Sequence, residues 1–358
     1  MLTRPWLWPF SPLYGLVTDI RNWTYDRGWR SVYTSSLPTL SIGNLSTGGT
    51  GKTPLAEWVL RQAGDQGLTA GYLSRGYRRK TEGFQWVEPH LHSYQAYGDE
   101  AWQVASKFPD LPVAVCANRS LGLQTFEQDG RARLMVLDDA FQHRKVARDL
   151  NWVVVDAKRL PTQDYLLPAG NLRERRRHIS RADLLLINRV DKPEDVADLQ
   201  KELTRFERPM SFLRPRFTRP RQLGQTQPPD WAELRQESLF LFAGIGNPDA
   251  FADQVKSEGL KVVGEQFFPD HHPFTSVDMD QLHARAQTQG ATALLCTEKD
   301  STRLYPRLEQ LSNRPLPVYY LPIELEWLGG EQIARDQLGQ LLSAAGSGDV
   351  SNGGKNDR

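Results

Sequence analysis

The sequence predicts an α/β fold: a P-loop NTPase-like, mostly parallel sheet joined by a hinge to a second, smaller α/β domain. Three observations carry this. Short, almost continuously apolar runs alternate with helical stretches; a glycine-rich turn ending in Lys52 and Thr53 follows the first run; and a Pro, Arg and Gln-rich break precedes a second series of runs. The first series is 37–44, 70–76, 111–117, 133–139, 151–157 and 182–189. Runs without polar alternation suit strands covered on both faces, and strands alternating with helices imply right-handed parallel crossovers. The break at 214–229, "RPRFTRPRQLGQTQPP", reads as a linker, and 238–246, 260–268, 293–300 and 318–325 follow it. The expected division is an N-terminal arm at 1–30, a P-loop core at 31–215, a hinge at 216–235, a smaller domain at 236–345 and a disordered polar tail at 346–358. At 358 residues the chain is about twice the usual domain length of roughly 100 to 200, in keeping with two domains.

Composition narrows the partners. Lys and Arg total 44 against 43 Asp and Glu, so no global charge draws the chain to nucleic acid, and no obligate protein partner is evident. Cys116 and Cys296 are the only cysteines, which excludes a disulfide framework or a cysteine zinc site and fits a reducing compartment. The stretch Pro5 to Thr18 is uncharged but contains Pro5, Pro9 and Pro12. At 14 residues it is shorter than the ~20 a membrane span needs. Trp6, Trp8, Phe10, Tyr14 and Trp23 among Arg4, Arg21, Arg27 and Arg30 suit either a lipid headgroup region or an arm packed on the protein's own surface.

Thr47, Gly48, Gly49, Thr50, Gly51, Lys52 and Thr53 form the candidate phosphate loop between a strand and a helix. Glycines let backbone N–H groups turn inward on phosphates, and the helix adds its positive end. Lys52 would reach the β and γ phosphates and Thr53 would offer its hydroxyl to Mg²⁺. The usual first glycine is replaced by Ser46, at the turn's entry. Asp138 and Asp139 end an apolar strand, where two adjacent carboxylates repel unless a cation neutralises them; capping of a following helix is the alternative. "NRVD" at 188–191 resembles a guanine-reading element and keeps a P-loop GTPase or metallochaperone-type NTPase open as the rival. Against it, Gln142 stands where a switch glycine belongs, and Arg189 replaces the lysine that stacks on the base.

The ordered motifs "SPLYG", "GNLSTGGTGKTP", "LSRGYRR", "YGDEAWQVA", "VLDDAFQHRKVARDL", "LLPAGNLRE", "FAGIGNP", "FFPDHHPF" and "TEKD" resemble the tetraacyldisaccharide 4'-kinases over nearly the whole chain. That family likewise lacks the first loop glycine. The resemblance implies ATP- and Mg²⁺-dependent phosphorylation of the 4'-hydroxyl of the lipid A disaccharide precursor, at the cytoplasmic face of the bacterial inner membrane. It carries over Asp99 as catalytic base, His271 as the partner holding and tuning it, Lys52 as a third catalytic residue, Glu174 as a further metal ligand, and Arg173 and Glu100 as substrate contacts. It also shifts the N-terminal arm towards an interfacial anchor. If Lys52 and His271 act on one γ-phosphate, the expected active site is a cleft between the domains. Ala140 in place of glycine and Arg175 in place of proline depart from the family pattern. Arg175, Arg176, Arg177 and Arg181 read as a solvated helical face or as contacts to anionic headgroups. His143 and His272 have no assignable role at this level.

Overall fold

The computed structural model describes residues 4–312 and 314–347. Most of the expected tail, 348–358, and residues 1–3 of the arm lie outside the described residues; 346 and 347 close the helix Glu331–Ser347. The chain divides into two compact units. The first comprises the described residues up to Val87, Val104–Pro215 and the described residues from Leu325 onward; the second comprises Glu88–Gln103 and Arg216–Glu324. The division therefore places the helix Glu331–Ser347 with the first unit, not with the smaller domain as its sequence position suggested, and it places Asp99 in the second.

In chain order the first strands are β1 (Thr39–Asn44), β2 (Ala70–Ser74), β3 (Gln85–Trp86), β4 (Val113–Val115), β5 (Leu134–Asp138), β6 (Leu150–Asp156), β7 (Leu184–Asn188) and β8 (Met210–Phe217). The second-unit strands are β9 (Arg221–Gln222), β10 (Leu239–Ala243), β11 (Val262–Phe267), β12 (Ala293–Thr297) and β13 (Val318–Leu321), and β14 is Ile323–Gly329. The larger sheet runs β14-β8-β7-β6-β1-β5-β2-β4-β3. β1 pairs in parallel with β5 on one side and β6 on the other, and of the short edge strand β3 only an antiparallel pairing with β4 is seen. β1, β2, β5 and β7 are buried at every position, which is why they read as unbroken apolar runs.

Chain order reverses across β1, so the loops leaving its carboxyl end open into a crevice of the kind that binds ligands in open α/β sheets. Register carries Ile42 level with Asp138 and Asp156 level with Asn188, so the polar ends of these strands share that edge.

The smaller sheet runs β11-β10-β12-β13-β9, parallel except for β9. Its core packs Phe240, Phe242, Phe274, Met279 and Leu282 on one face and Leu239, Leu241, Phe251 and Val255 on the other. Two parts of the 214–229 stretch read as linker are ordered strand. Residues 214–217 complete β8, and Arg221–Gln222 form β9. Pro215 misled the sequence reading: it sits beyond Met210–Phe212, the stretch of β8 that pairs with β7, so no bond of that ladder is lost.

Candidate active site

The phosphate loop is built from its ends inward. Asn44, at the end of β1, is fully buried, and its Nδ2 donates to the Gly48 carbonyl at 3.4 Å and to Thr50 Oγ1 at 3.2 Å. From β7, Asn188 Nδ2 donates to the Thr50 carbonyl at 2.9 Å. The Thr47 N–H donates to the Asn171 carbonyl, and Arg159 Nη2 to the Thr47 carbonyl at 2.9 Å. Gly48 and Gly51 take φ of +99° and +84°, conformations that side chains resist. Gly51 has a second constraint, because a Cβ there would lie 2.2 Å from Asn188 Nδ2. The helix Lys52–Asp65 starts immediately after, presenting its unpaired N–H groups to the loop.

Beside the loop, β5 delivers the acidic pair. Lys52 Nζ lies 3.3 Å from Asp139 Oδ1, and Arg173 Nη1 donates to both Asp139 oxygens at 2.9 and 2.8 Å. Asp139 itself has φ +48°, a strained conformation for a non-glycine residue, and it takes no part in capping a helix. Burial pushes its carboxyl up, but Lys52 and Arg173 outweigh burial and hold it below the usual range. Asp138 is more deeply buried. Ser74 donates to its Oδ2 at 3.2 Å, while Oδ1 is buried with no hydrogen-bond partner among the described residues. Burial raises this carboxyl, Lys52 pulls it down and Asp139 adds to the rise. The buried Asp138 with one unpartnered carboxylate oxygen, beside the partly exposed Asp139, is a chemical setting that suits a small divalent cation.

Around this pair the N-terminal helix Ser11–Asp26 takes a direct part. Tyr14 Oη donates to the Arg173 carbonyl at 3.0 Å, Arg21 Nη2 to the Gln142 carbonyl at 2.7 Å and Asn22 Nδ2 to Glu174 Oε2 at 2.9 Å. Glu174 is fully buried and also accepts from Arg181 at 2.7 Å. Those contacts turn it towards the N-terminal helix rather than towards Lys52. Arg175, Arg177 and His178 converge on Asp19 of the same helix at 2.7, 3.0 and 2.9 Å. Within the basic cluster, Arg175 and Arg177 clamp this helix, Arg181 pairs with Glu174 and Arg176 donates to the Asp164 carbonyl, while Arg177 keeps 66% of its side chain exposed. Burial, with Arg119, Arg148, Arg21 and Lys145 adding like charge, lowers His143 to about 4 and keeps it neutral at neutral pH.

In the second unit, Asp99 opens the helix Asp99–Lys107 and is only 6% exposed. His271 Nδ1 bonds to its Oδ2 at 2.8 Å, with Lys299 Nζ at 3.7 Å and Arg303 Nε at 3.6 Å from the same oxygen. Burial alone would raise this carboxyl. The hydrogen bond from His271 and the charges of Lys299, His271 and Arg303 reverse that, holding it well below the ordinary carboxylate range. His271 sits at φ +66°, with its N–H donating to the Gly244 carbonyl, which also accepts from Arg303 at 2.9 Å. The Glu100 N–H donates to Asp99 Oδ1 at 3.1 Å, so the backbone of Glu100 also helps fix that carboxylate. His272 turns the other way, to Asp278 at 3.0 Å in the capping box of the next helix.

Sequence reasoning missed Arg159, Asn171 and Arg119. Arg119 is buried and donates to the Asp138 carbonyl at 2.8 Å. It also passed over Lys299 and Arg303, although "TEKD" marked their segment. The "NRVD" element has an internal explanation: Asn188 holds the phosphate loop, Arg189 pairs with Asp156 at 2.8 Å and Asp191 pairs with Lys158.

The model of the family described as tetraacyldisaccharide-1-P 4'-kinase matches residues 3–343. The tetraacyldisaccharide 4'-kinase of Flavobacterium johnsoniae is 35% identical over 337 residues, covering 92% of this chain and 95% of the relative. That of Chlorobaculum tepidum is 36% identical over 342 residues, covering 93% and 96%. Among solved structures, that of "apo" form LpxK from Aquifex aeolicus in complex with ATP superposes with a TM-score of 0.74 at 29% identity, covering 94% of this chain and 98% of that one. Matched across almost its whole length in family, sequence and fold, the chain belongs to the tetraacyldisaccharide-1-P 4'-kinase family.

Proposed function

We propose that the protein transfers the γ-phosphate of ATP to the 4'-hydroxyl of a tetraacyldisaccharide 1-phosphate, the lipid A precursor, while seated on the cytoplasmic face of the inner membrane. Asp99 carries the chemical part of this reading. A sugar hydroxyl must lose its proton as the phosphoryl group arrives. Asp99 is a buried carboxylate kept ionised by His271, Lys299 and Arg303, and so serves as the acceptor; His271 is the residue that orients it. Lys52 supplies positive charge to the transferring group, and Thr47, Gly48, Gly49, Thr50 and Gly51 enclose the phosphates with backbone N–H groups.

Thr53, Asp138 and Asp139 are the residues that would hold Mg²⁺, supported by the empty Asp138 Oδ1. When bound, such an ion neutralises charge on the β and γ phosphates. Glu174 is engaged by Asn22 and Arg181, which supports a part in shaping the Asp139 surroundings more than direct ligation. Arg173 is the nearer candidate for substrate phosphate, poised on Asp139 and partly exposed.

The membrane part rests on the N-terminal helix. Leu13, Leu16, Val17, Ile20 and Trp23 stand exposed at spacings of one helix face, with Trp6, Trp8 and Phe10 exposed just before them. Leu13 is 62% and Val17 60% exposed, and a face this apolar is unusual on a surface bathed by water. No helix among the described residues is long and apolar enough to cross a membrane, so the helix suits lying along the interface.

Transfer of labelled phosphate from ATP to a detergent-dispersed, 1-phosphorylated disaccharide, with GTP as parallel donor, tests the reading. Labelling from ATP that is lost in Asp99→Ala supports it. GTP hydrolysis without sugar labelling would revive the GTPase alternative and overturn it.

A further inference from the structure

The N-terminal helix has two faces, and only one of them is apolar and exposed. The other carries Ser11, Gly15, Asn22 and Tyr25, all buried, with Tyr14 and Arg21 beside them. Ser11 Oγ donates to the Leu166 carbonyl at 2.9 Å, and a Cβ on Gly15 would stand 2.8 Å from Leu166 Cδ1, so this face lies hard against the segment that carries Arg173. The bonds from Tyr14, Arg21 and Asn22 each land on a residue close to the acidic pair or to a partner of it. Tyr14 meets the Arg173 carbonyl, and Arg173 grips Asp139; Arg21 meets Gln142, three residues past Asp139; Asn22 meets Glu174, next to Arg173. Gln142 in turn donates from Nε2 to the Asn44 carbonyl at 2.9 Å, at the entry to the phosphate loop.

An anchor alone would need none of this. A helix that only tethers the protein can pack through apolar or clamped contacts such as Asp19 with Arg175, Arg177 and His178. The three bonds from Tyr14, Arg21 and Asn22 instead end on backbone and side-chain groups that set the orientation of Arg173 and the loop after Asp139. Asn22 is the most telling: it is completely buried, and without it the fully buried Glu174 carboxylate keeps Arg181 as its one hydrogen-bond partner among the described residues.

We infer that Tyr14, Arg21 and Asn22 are positioning residues for phosphoryl transfer, so that the helix proposed to seat the protein on the membrane also holds the Arg173–Asp139 pair in its working arrangement. This rests on the functional reading above. It predicts a kinetic signature that an anchor does not have. Losing a bond that orients a group acting in the transition state lowers kcat, whereas losing membrane contact raises the apparent KM for the lipid.

The test compares full-length wild type with Tyr14→Phe and Asn22→Ala, measuring kcat and KM for ATP and for the lipid in detergent micelles. Co-sedimentation with phosphatidylethanolamine and phosphatidylglycerol vesicles and thermal midpoints are measured alongside. Tyr14→Phe deletes one hydroxyl and leaves the ring, so it carries the test by itself if Asn22→Ala fails to fold. The expected result is a kcat about tenfold lower in Tyr14→Phe, with both KM values and vesicle binding within about twofold of wild type. Wild-type turnover with kcat unchanged in the variants, or a loss confined to vesicle binding and lipid KM, overturns the inference while leaving the functional reading intact. Wild type that transfers no phosphate overturns that reading, and the inference with it.

Discussion

Gly51 shows how tightly a single residue can be constrained. Its φ of +84° and the 2.2 Å approach of Asn188 Nδ2 leave no room for a methyl group. Gly51→Ala should displace Asn188 from the Thr50 carbonyl and weaken nucleotide binding by about tenfold or more, measured by titration calorimetry. Asp99 gives a pH test. Its folded pKa lies below the unfolded value of about 3.9, so the ionised carboxylate stabilises the fold above that value. That stabilisation is lost as pH falls through the folded pKa. The difference in thermal midpoint between wild type and Asp99→Asn should accordingly be largest above about pH 5 and shrink on acidification. In turnover, Asp99→Asn should lose about 10²- to 10⁴-fold in kcat. Lys52 and Thr53 were legible in the sequence because a phosphate loop is a local motif, with every part within a few residues. Arg303 and Lys299 were not, because they reach Asp99 from about two hundred positions away and nothing in their own segment marks that partner.

Among the elements, the N-terminal helix separates what periodicity shows from what packing shows. Aromatic and basic residues at 4–30 pointed to an interfacial arm or a packed one, and the helix packs on the protein through one face while its other face stays apolar and exposed. Its inner face is seated by Asp19, Asn22 and Tyr14, and its outer face is left apolar. A Leu16→Ser, Ile20→Ser double variant changes only the outer face. Each substitution removes about 1.5 kcal/mol or more of apolar burial, roughly tenfold in partitioning, so vesicle co-sedimentation should fall by about two orders of magnitude. Retained vesicle binding in that variant would refute the interfacial role. β8 offers the opposite lesson. Pro215 and the arginines around it read as linker, but β8 is held in the sheet by β7 over Met210–Phe212 and by β14 on its other side, and the strand runs on through the segment, since pairing partners outrank local propensity.

For the molecule as a whole, nucleotide binding should appear in stability. The phosphate loop, the acidic pair and the N-terminal helix all belong to the first unit. Saturating Mg·ATP at about 100 times its Kd should stabilise that unit by about 2.7 kcal/mol, raising its thermal midpoint by roughly 5 to 10 °C. Lys52→Ala should abolish the shift in differential scanning fluorimetry. The sequence by itself determined the α/β class, the existence of two series of strands, the phosphate loop, the acidic strand end and the family, because apolar periodicity and contiguous motifs are properties of neighbouring residues. Only the tertiary structure decided that residues 88–103 and the last helix belong to units other than those their positions suggested, and that Asp19 gathers Arg175, Arg177 and His178. It also decided that the helix Ser11–Asp26 reaches Arg173, Glu174 and the loop after Asp139. Those outcomes depend on contacts between residues more than a hundred positions apart, whose pairing is set by how apolar faces bury and how buried charges find partners, and no short stretch of chain carries that information.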